Sequence, residues 1–308
     1  MNFLEQIKIN CRKTPFFSLI FGFLLLGIGF IFLNPLAWLL LSSLYGINQE
    51  SMREILQHTD LFPANRNLLL SIIGLTQVFT WGFAGWTMIG LNGDEIQTPL
   101  HKRFGPTTYI GILMMFAAIP LIQTLAFNSD TFSLPEGFDG LESWIKSRES
   151  QSFDMIRSFI ITQDFSCFLI NLLMLALVPA VCEEMFFRGF IQKTLEKTVS
   201  PLTALFLTAF IFSFMHFQFF GFFSRLFLGC ILGYLFYLTK SIFPGILAHF
   251  AYNGLMVFMG YGAGLTNHPF PEGEAKGHYP WYWVGLSLLL TLGLGWSLYR
   301  MYFPEKET

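Results

Sequence analysis

Three short patterns hold residues able to do chemistry together. Glu183-Glu184-x-x-x-Arg188 places two carboxylates and a guanidinium in one stretch. Phe212-x-x-x-His216 supplies an imidazole, and His249-x-x-x-Asn253 a second imidazole and an amide. A carboxylate and an imidazole can together hold and deprotonate a water. A second imidazole and an amide NH₂ can donate hydrogen bonds to a developing oxyanion. That is the equipment for hydrolysing an amide bond. Glu184 and Arg188 are four residues apart, share a helix face and can neutralise each other. Glu183 points about 100° away from that face and must find its partner on another element.

These groups lie in very apolar surroundings. The 308-residue chain is 53% hydrophobic and 18% aromatic, with 38 Phe, and only 12% of it is charged. Soluble domains carry about 25% charged residues, so the composition is that of a polytopic membrane protein. A charge at the centre of a membrane helix costs roughly 2.5–3.5 kcal/mol on insertion scales. Glu183, Glu184 and Arg188 therefore need partners, and His216 and His249 are the ionisable groups expected deep in other spans. The remaining histidines, His58, His101, His268 and His278, fall in connections and read as solvated.

The expected fold is an all-α polytopic membrane protein, a bundle of about eight transmembrane helices plus one amphipathic interfacial helix. Taken as runs of ~20 apolar residues, the spans are 15–41, 68–91, 106–127, 165–191, 200–219, 222–238, 244–259 and 281–303. The first reads as a retained anchor, because it is too long for a signal core and lacks a small-residue cleavage site. Pro35 is expected to kink or end it, and Pro179 to free the Leu175 carbonyl and bend the fourth span. The amphipathic helix falls between Ser129 and Asp164, where Leu141, Trp144, Ile145, Phe153, Ile156 and Ile160 recur at helical spacing among charges. Gly229-x-x-x-Gly233 lets a neighbouring helix approach closely. Trp281, Tyr282 and Trp283 form an interfacial belt. Residues 1–308 read as a single transmembrane domain, with the chemical core at about 165–260.

Eleven of the 18 Lys and Arg fall on the side of the N-terminus. The positive-inside bias thus puts both termini in the cytoplasm. The cell (plasma) membrane is the expected location. The net charge of −2 and the lack of a basic stripe argue against a nucleic-acid partner. Cys11, Cys167, Cys182 and Cys230 have no metal spacing and read as buried free thiols. Cys182 beside Glu183 is a poor nucleophile, because it has no adjacent base.

The three motifs, in this order on three spans, resemble the CPBP family of intramembrane proteases. That family includes Rce1-type endopeptidases that trim prenylated CaaX proteins, and bacterial relatives linked to bacteriocin processing or self-immunity. The resemblance covers about Ala176 to Gly254 and implies an eight-helix bundle with a cavity open to the cytoplasm. It implies Glu183 as the base on water with His216 as its partner, His249 and Asn253 as the oxyanion site, and Glu184 and Arg188 as supporting residues. The substrate is then a membrane-associated protein or peptide, met in the lipid bilayer. No cofactor is favoured. The alternative is a divalent metal such as zinc on Glu183, His216 and His249, since the family was first described as metalloproteases; the clear task of Asn253 as an oxyanion donor favours metal-free chemistry. Two other functions stand beside this one: a non-catalytic scaffold or self-immunity protein on the same fold, and a proton-coupled transporter using Glu183 and both histidines as a relay.

Overall fold

The computed structural model describes residues 2–93, 105–130, 135–219, 221–266 and 279–304, apart from the side chains of 127–130. These residues form twelve helices and no strand. In order they are α1 (Phe3–Lys13), α2 (Pro15–Tyr45), α3 (Gln49–Gln57), α4 (Arg66–Asn92), α5 (Pro106–Ala117) and α6 (Ile119–Asp130). Then follow α7 (Asp139–Ile160), α8 (Phe165–Leu195), α9 (Pro201–Phe214), α10 (Phe222–Thr239), α11 (Phe243–Thr266) and α12 (Trp281–Tyr302). The chain is an all-α, multi-pass integral membrane protein.

All eight segments expected to span are helical, but they do not all have the length and apolarity of a simple span. Five do: α2, α4, α8, α10 and α12. A sixth is the pair α5 and α6, bent by 42° at a short break. α9 has only 14 residues. α11 has 24 residues, long enough to cross, but polar His249 and Asn253 dilute its apolar run. The fifth segment also ends earlier than its composition suggests. Helix α9 stops at Phe214, not Phe219, so His216 lies in the turn beyond the helix and not deep within it. The apolar run continues through Phe217 and Phe219, so hydropathy carries no stop signal there. The helix closes through Met215, and the chain then turns and reaches Phe217 with a positive φ of 52°, where a right-handed helix cannot resume.

The amphipathic helix is α7, with Leu141, Trp144 and Phe153 exposed and Phe159 and Ile160 buried at its end. The charged connections around Asp94, Glu95, Lys102 and Arg103 and around Glu272, Glu274 and Lys276 lie outside the described residues, as do His101, His268 and His278.

The chain divides into two compact units. One comprises Met1–Glu95, Gly140–Phe186 and Asn253–Phe270, and the other Ile96–Asp139, Phe187–Tyr252 and Pro271–Thr308. In the first, an apolar core gathers Leu41, Met52, Ile55, Phe62, Leu68, Leu69, Leu70 and Phe159. Buried Asn171 at the start of α8 accepts from Arg66 Nη2 at 2.7 Å and donates to the Phe159 carbonyl at 2.7 Å, tying α8 to α4 and α7. A buried amide satisfied at both ends fixes register, because a shift would strand two polar groups. Within α2 the helix widens to a π-type turn at Gly29–Leu33 and passes Pro35 without breaking. Gly29 is required there: a Cβ would clash with the Phe79 carbonyl oxygen of α4.

In the second unit α9 packs on α10 through the small residues read from sequence. A Cβ on Gly229 would lie 3.1 Å from Ala209 Cα, and one on Gly233 would lie 3.0 Å from Leu205 Cγ. Tyr234 of α10 donates to the Gly295 carbonyl of α12 at 3.0 Å, and Ser287 of α12 donates to the Ala117 carbonyl of α5 at 2.6 Å. These bonds tie α12 to α10 and to α5.

Candidate active site

Helix α8 carries the charged motif. Its regular turns, Val178–Glu184, lie between two π-type stretches, Leu172–Leu177 and Met185–Gln192. Pro179 has no N–H to give the Leu175 carbonyl. The wide turn just before it absorbs that mismatch, and the helix runs on through the proline. Wide turns of this kind occur often at functional sites, because they re-aim the residues that follow.

Glu183 is buried at 5% exposure. Gln77 of α4 donates from Nε2 to Glu183 Oε1 at 3.2 Å. An ionised carboxylate only accepts, so the amide presents its NH₂ to it. Gln77 is the last residue before the π-type turn Val78–Gly82 in α4. Two glycines then bring α4 against the motif. A Cβ on Gly82 would lie 3.0 Å from Cys182 Sγ, and one on Gly85 would lie 2.8 Å from the Phe186 backbone N. Trp81 packs edge-on against Phe186, with ring centres 5.3 Å apart. Cys182 is thus held as a buried packing thiol. Glu184 is fully buried in the same unit. Asn253 is half-buried on α11, beside Gly254, whose Cβ position faces Leu172 Cδ2 at 3.5 Å.

Arg188 is also fully buried. It donates from Nη2 to the Gly229 carbonyl at 2.9 Å, and its guanidinium lies 4.9 Å from the Phe212 ring centre. One turn further along α8, Gln192 Nε2 donates to the Gly233 carbonyl at 3.0 Å. The i,i+4 spacing of Arg188 and Gln192 matches that of Gly229 and Gly233, so two side chains of α8 read two backbone oxygens of α10 in register. Glycine at both acceptor positions leaves no side chain to block the approach.

Phe212 joins this anchor to the imidazoles. Its ring meets Phe187 at 5.1 Å, His216 at 4.8 Å and His249 at 6.1 Å, edge-on in each case. Its carbonyl lies 2.7 Å from His216 Nδ1. A carbonyl oxygen cannot donate, so Nδ1 carries the proton. In the neutral ring, Nε2 is then the basic nitrogen. The carbonyl and the ring of Phe212 together hold the imidazole in place.

The candidate residues thus divide in two. Glu183, Glu184 and Asn253 belong to one unit, and Arg188, His216 and His249 belong to the other, gathered on Phe212. Among the described residues of either unit, no three His, Cys, Asp or Glu side chains form a metal-binding group. By type, two imidazoles and a carboxylate are a zinc donor set; here the three named for it belong to different units. Gln77 and Gln192 escape a reading that looks for charges and histidines. A signal was present: each is an amide inside an apolar run, and Gln77 lies between Gly74 and Gly82.

Residues 165–255 match the family model described as type II CAAX prenyl endopeptidase Rce1-like, less than a third of the chain. The match spans Glu183, Glu184, Arg188, Phe212, His216, His249 and Asn253, and extends a little beyond the resemblance drawn from the motifs. No curated protein matches the chain, and no solved structure does.

Proposed function

We propose that this protein is an intramembrane endopeptidase that hydrolyses a peptide bond of a membrane-associated protein or peptide, using the segment at about 165–260. The family match supports a protease at the level of the family. The observation that carries the finer reading is the buried Glu183 carboxylate, held by an amide, in the same matched segment as two imidazoles gathered on Phe212.

In this mechanism Glu183, with His216 Nε2 as its partner, takes a proton from a water. The resulting hydroxide attacks the scissile carbonyl carbon. His249 and Asn253 donate to the tetrahedral oxyanion, which is the step where such donors contribute most. The carbon–nitrogen bond then breaks, and the proton held by Glu183 passes to the leaving amine. Glu184 and Arg188 neutralise each other and hold α8 in register. A divalent metal on Glu183, His216 and His249 is the second form of the same hydrolysis, in which the metal would activate the water. We place both termini on the cytoplasmic side of a plasma membrane.

The test uses the full-length protein in liposomes with two reporters, a farnesylated CaaX peptide and a plain membrane-tethered peptide. Wild type is expected to cleave at least one. Glu183→Gln and His216→Ala are expected to cut that cleavage by at least about 10²-fold. Equal cleavage by all three overturns the roles. Cleavage lost to chelator and restored by zinc selects the metal form. A Glu183→Gln variant that keeps the cellular phenotype supports a scaffold or self-immunity role, and uptake driven by a pH gradient supports a transporter.

A further inference from the structure

We infer that Gln77, on a helix outside the matched segment, is a positioning residue that holds the Glu183 carboxylate in the orientation from which it takes the proton of water. This rests on the function proposed above. The inference comes from three observations on α4. The first is the bond itself, from Gln77 Nε2 to Glu183 Oε1 at 3.2 Å, made to a carboxylate only 5% exposed. It joins residues 106 positions apart, so it depends on how the helices pack. It also uses the NH₂ end of the amide, the end that can donate to a negative charge.

The second observation is what the amide leaves behind. Gln77 Oε1 is buried and has no hydrogen-bond partner among the described residues. A residue serving only to fill this space would be better as methionine or leucine, which leave no buried polar atom. The glutamine is therefore a cost to the fold, and the bond to Glu183 is what it returns.

The third is the construction of α4 around it. The helix widens at Val78–Gly82, directly after Gln77, and then runs against the motif through Gly82 and Gly85. On the other side Met174 packs over the backbone at Gly74, where a Cβ would lie 2.7 Å from Sδ. Close approach on both sides of Gln77 fixes the backbone from which its side chain reaches. A carboxylate with one oxygen tied down has the other aimed, and aim is what separates an effective general base from a buried acid.

The experiment measures kcat and KM for cleavage of the reporter peptide by the reconstituted full-length chain. Gln77→Met keeps the volume and removes the donor. It is expected to lower kcat roughly 10–100-fold, the loss of one hydrogen bond to a charged group, with KM within about twofold of wild type. Gln77→Asn keeps the amide but is one methylene too short, and the same fall is expected. It serves as the second variant if Gln77→Met does not fold, with folding read from thermal unfolding in detergent. In a Glu183→Gln background, Gln77→Met is expected to change nothing further. Wild-type kcat in either folded Gln77 variant, with Glu183→Gln inactive, overturns the inference and leaves the proposed function standing. So does a loss of kcat/KM that comes only from a raised KM. Full activity in Glu183→Gln overturns the proposed function, and the inference with it.

Discussion

The two halves of the motif helix meet their neighbours in different ways. Up to Phe186, α8 meets α4 through a side-chain amide on Glu183 and through glycines that let backbone approach backbone. From Phe187 onward it meets α10 through Arg188 and Gln192, whose donors end on backbone carbonyls. A backbone carbonyl cannot be substituted away or titrated, so the second half is a fixed anchor. A side-chain carboxylate can gain and lose a proton, so the first half holds the group that can react. The same helix thus separates chemistry from attachment over about one turn, and the separation can be tested one residue at a time.

The largest expected effect is on activity at the first half. Glu183→Gln keeps the shape and removes the base, so cleavage falls about 10²–10⁴-fold. Thermal unfolding stays close to wild type, because the variant amide still accepts from Gln77. The mirror image is Arg188→Met, which removes a buried donor from the Gly229 carbonyl and the cation from the Phe212 face. Stability falls by about 1–3 kcal/mol, read as a lower unfolding midpoint in detergent. A variant of Arg188 that unfolds like wild type but cannot cleave would reverse the comparison.

The site was partly legible in the sequence. The motif residues stood out because charge and imidazole are costly in an apolar run, and their order on the chain carried the family resemblance. Position was harder. His216 reads as part of a span because nothing in Phe214-Met215-His216-Phe217 is a stop signal; the helix ends at Phe214 and the backbone turns to a positive φ at Phe217, an apolar residue that gives no warning. The span count was likewise read from apolar runs alone. Helix α9 is short and α11 is diluted by His249 and Asn253, so the two segments that bring the imidazoles fall short of a simple span, whereas α8 does not. Gln77 is harder to read for a different reason: an amide in an apolar run stands out, but it gains meaning only when the fold brings Glu183 to it.

Smaller effects sharpen the same contrast. Gly85→Ala forces a methyl against the Phe186 backbone N, where 2.8 Å is available. Overpacking of this kind costs about 1–3 kcal/mol. Because it shifts α4 beneath the motif, Gly85→Ala should also lower cleavage per folded molecule. Gln192→Leu removes one bond to the Gly233 carbonyl. Side-chain hydrogen bonds within membranes average about 0.6 kcal/mol, so the midpoint drops slightly and cleavage per folded molecule is unchanged. A large loss of activity in Gln192→Leu would show that the anchor half also shapes the chemistry.

The smallest effect lies at the start of α8, outside the membrane span. Asp164 caps the helix, accepting from the Ser166 hydroxyl and from the Cys167 backbone N. The hydrogen bond from Ser166, then that from Cys167, hold its carboxyl below the ordinary carboxylate value. A depressed folded value means the cap's contribution is complete above the unfolded pKa, near 3.9, and is lost as pH falls through the folded value. Asp164→Ala should therefore lower the unfolding midpoint slightly at pH 7, and the difference from wild type should shrink below about pH 4. A difference that persists unchanged in acid would show that the cap does not act through its charge.

The central claim is that a water on Glu183 attacks a carbonyl whose oxygen is received by His249 and Asn253. The most direct measurement is an experimental structure of the full-length protein bound to a peptide phosphonate, whose tetrahedral oxygens mimic the attacked carbon. The account predicts one phosphonate oxygen within about 3 Å of the Glu183 carboxylate and another within about 3 Å of His249 and Asn253. A phosphonate bound with its tetrahedral centre away from Glu183, or with the oxyanion position met by neither His249 nor Asn253, would contradict it.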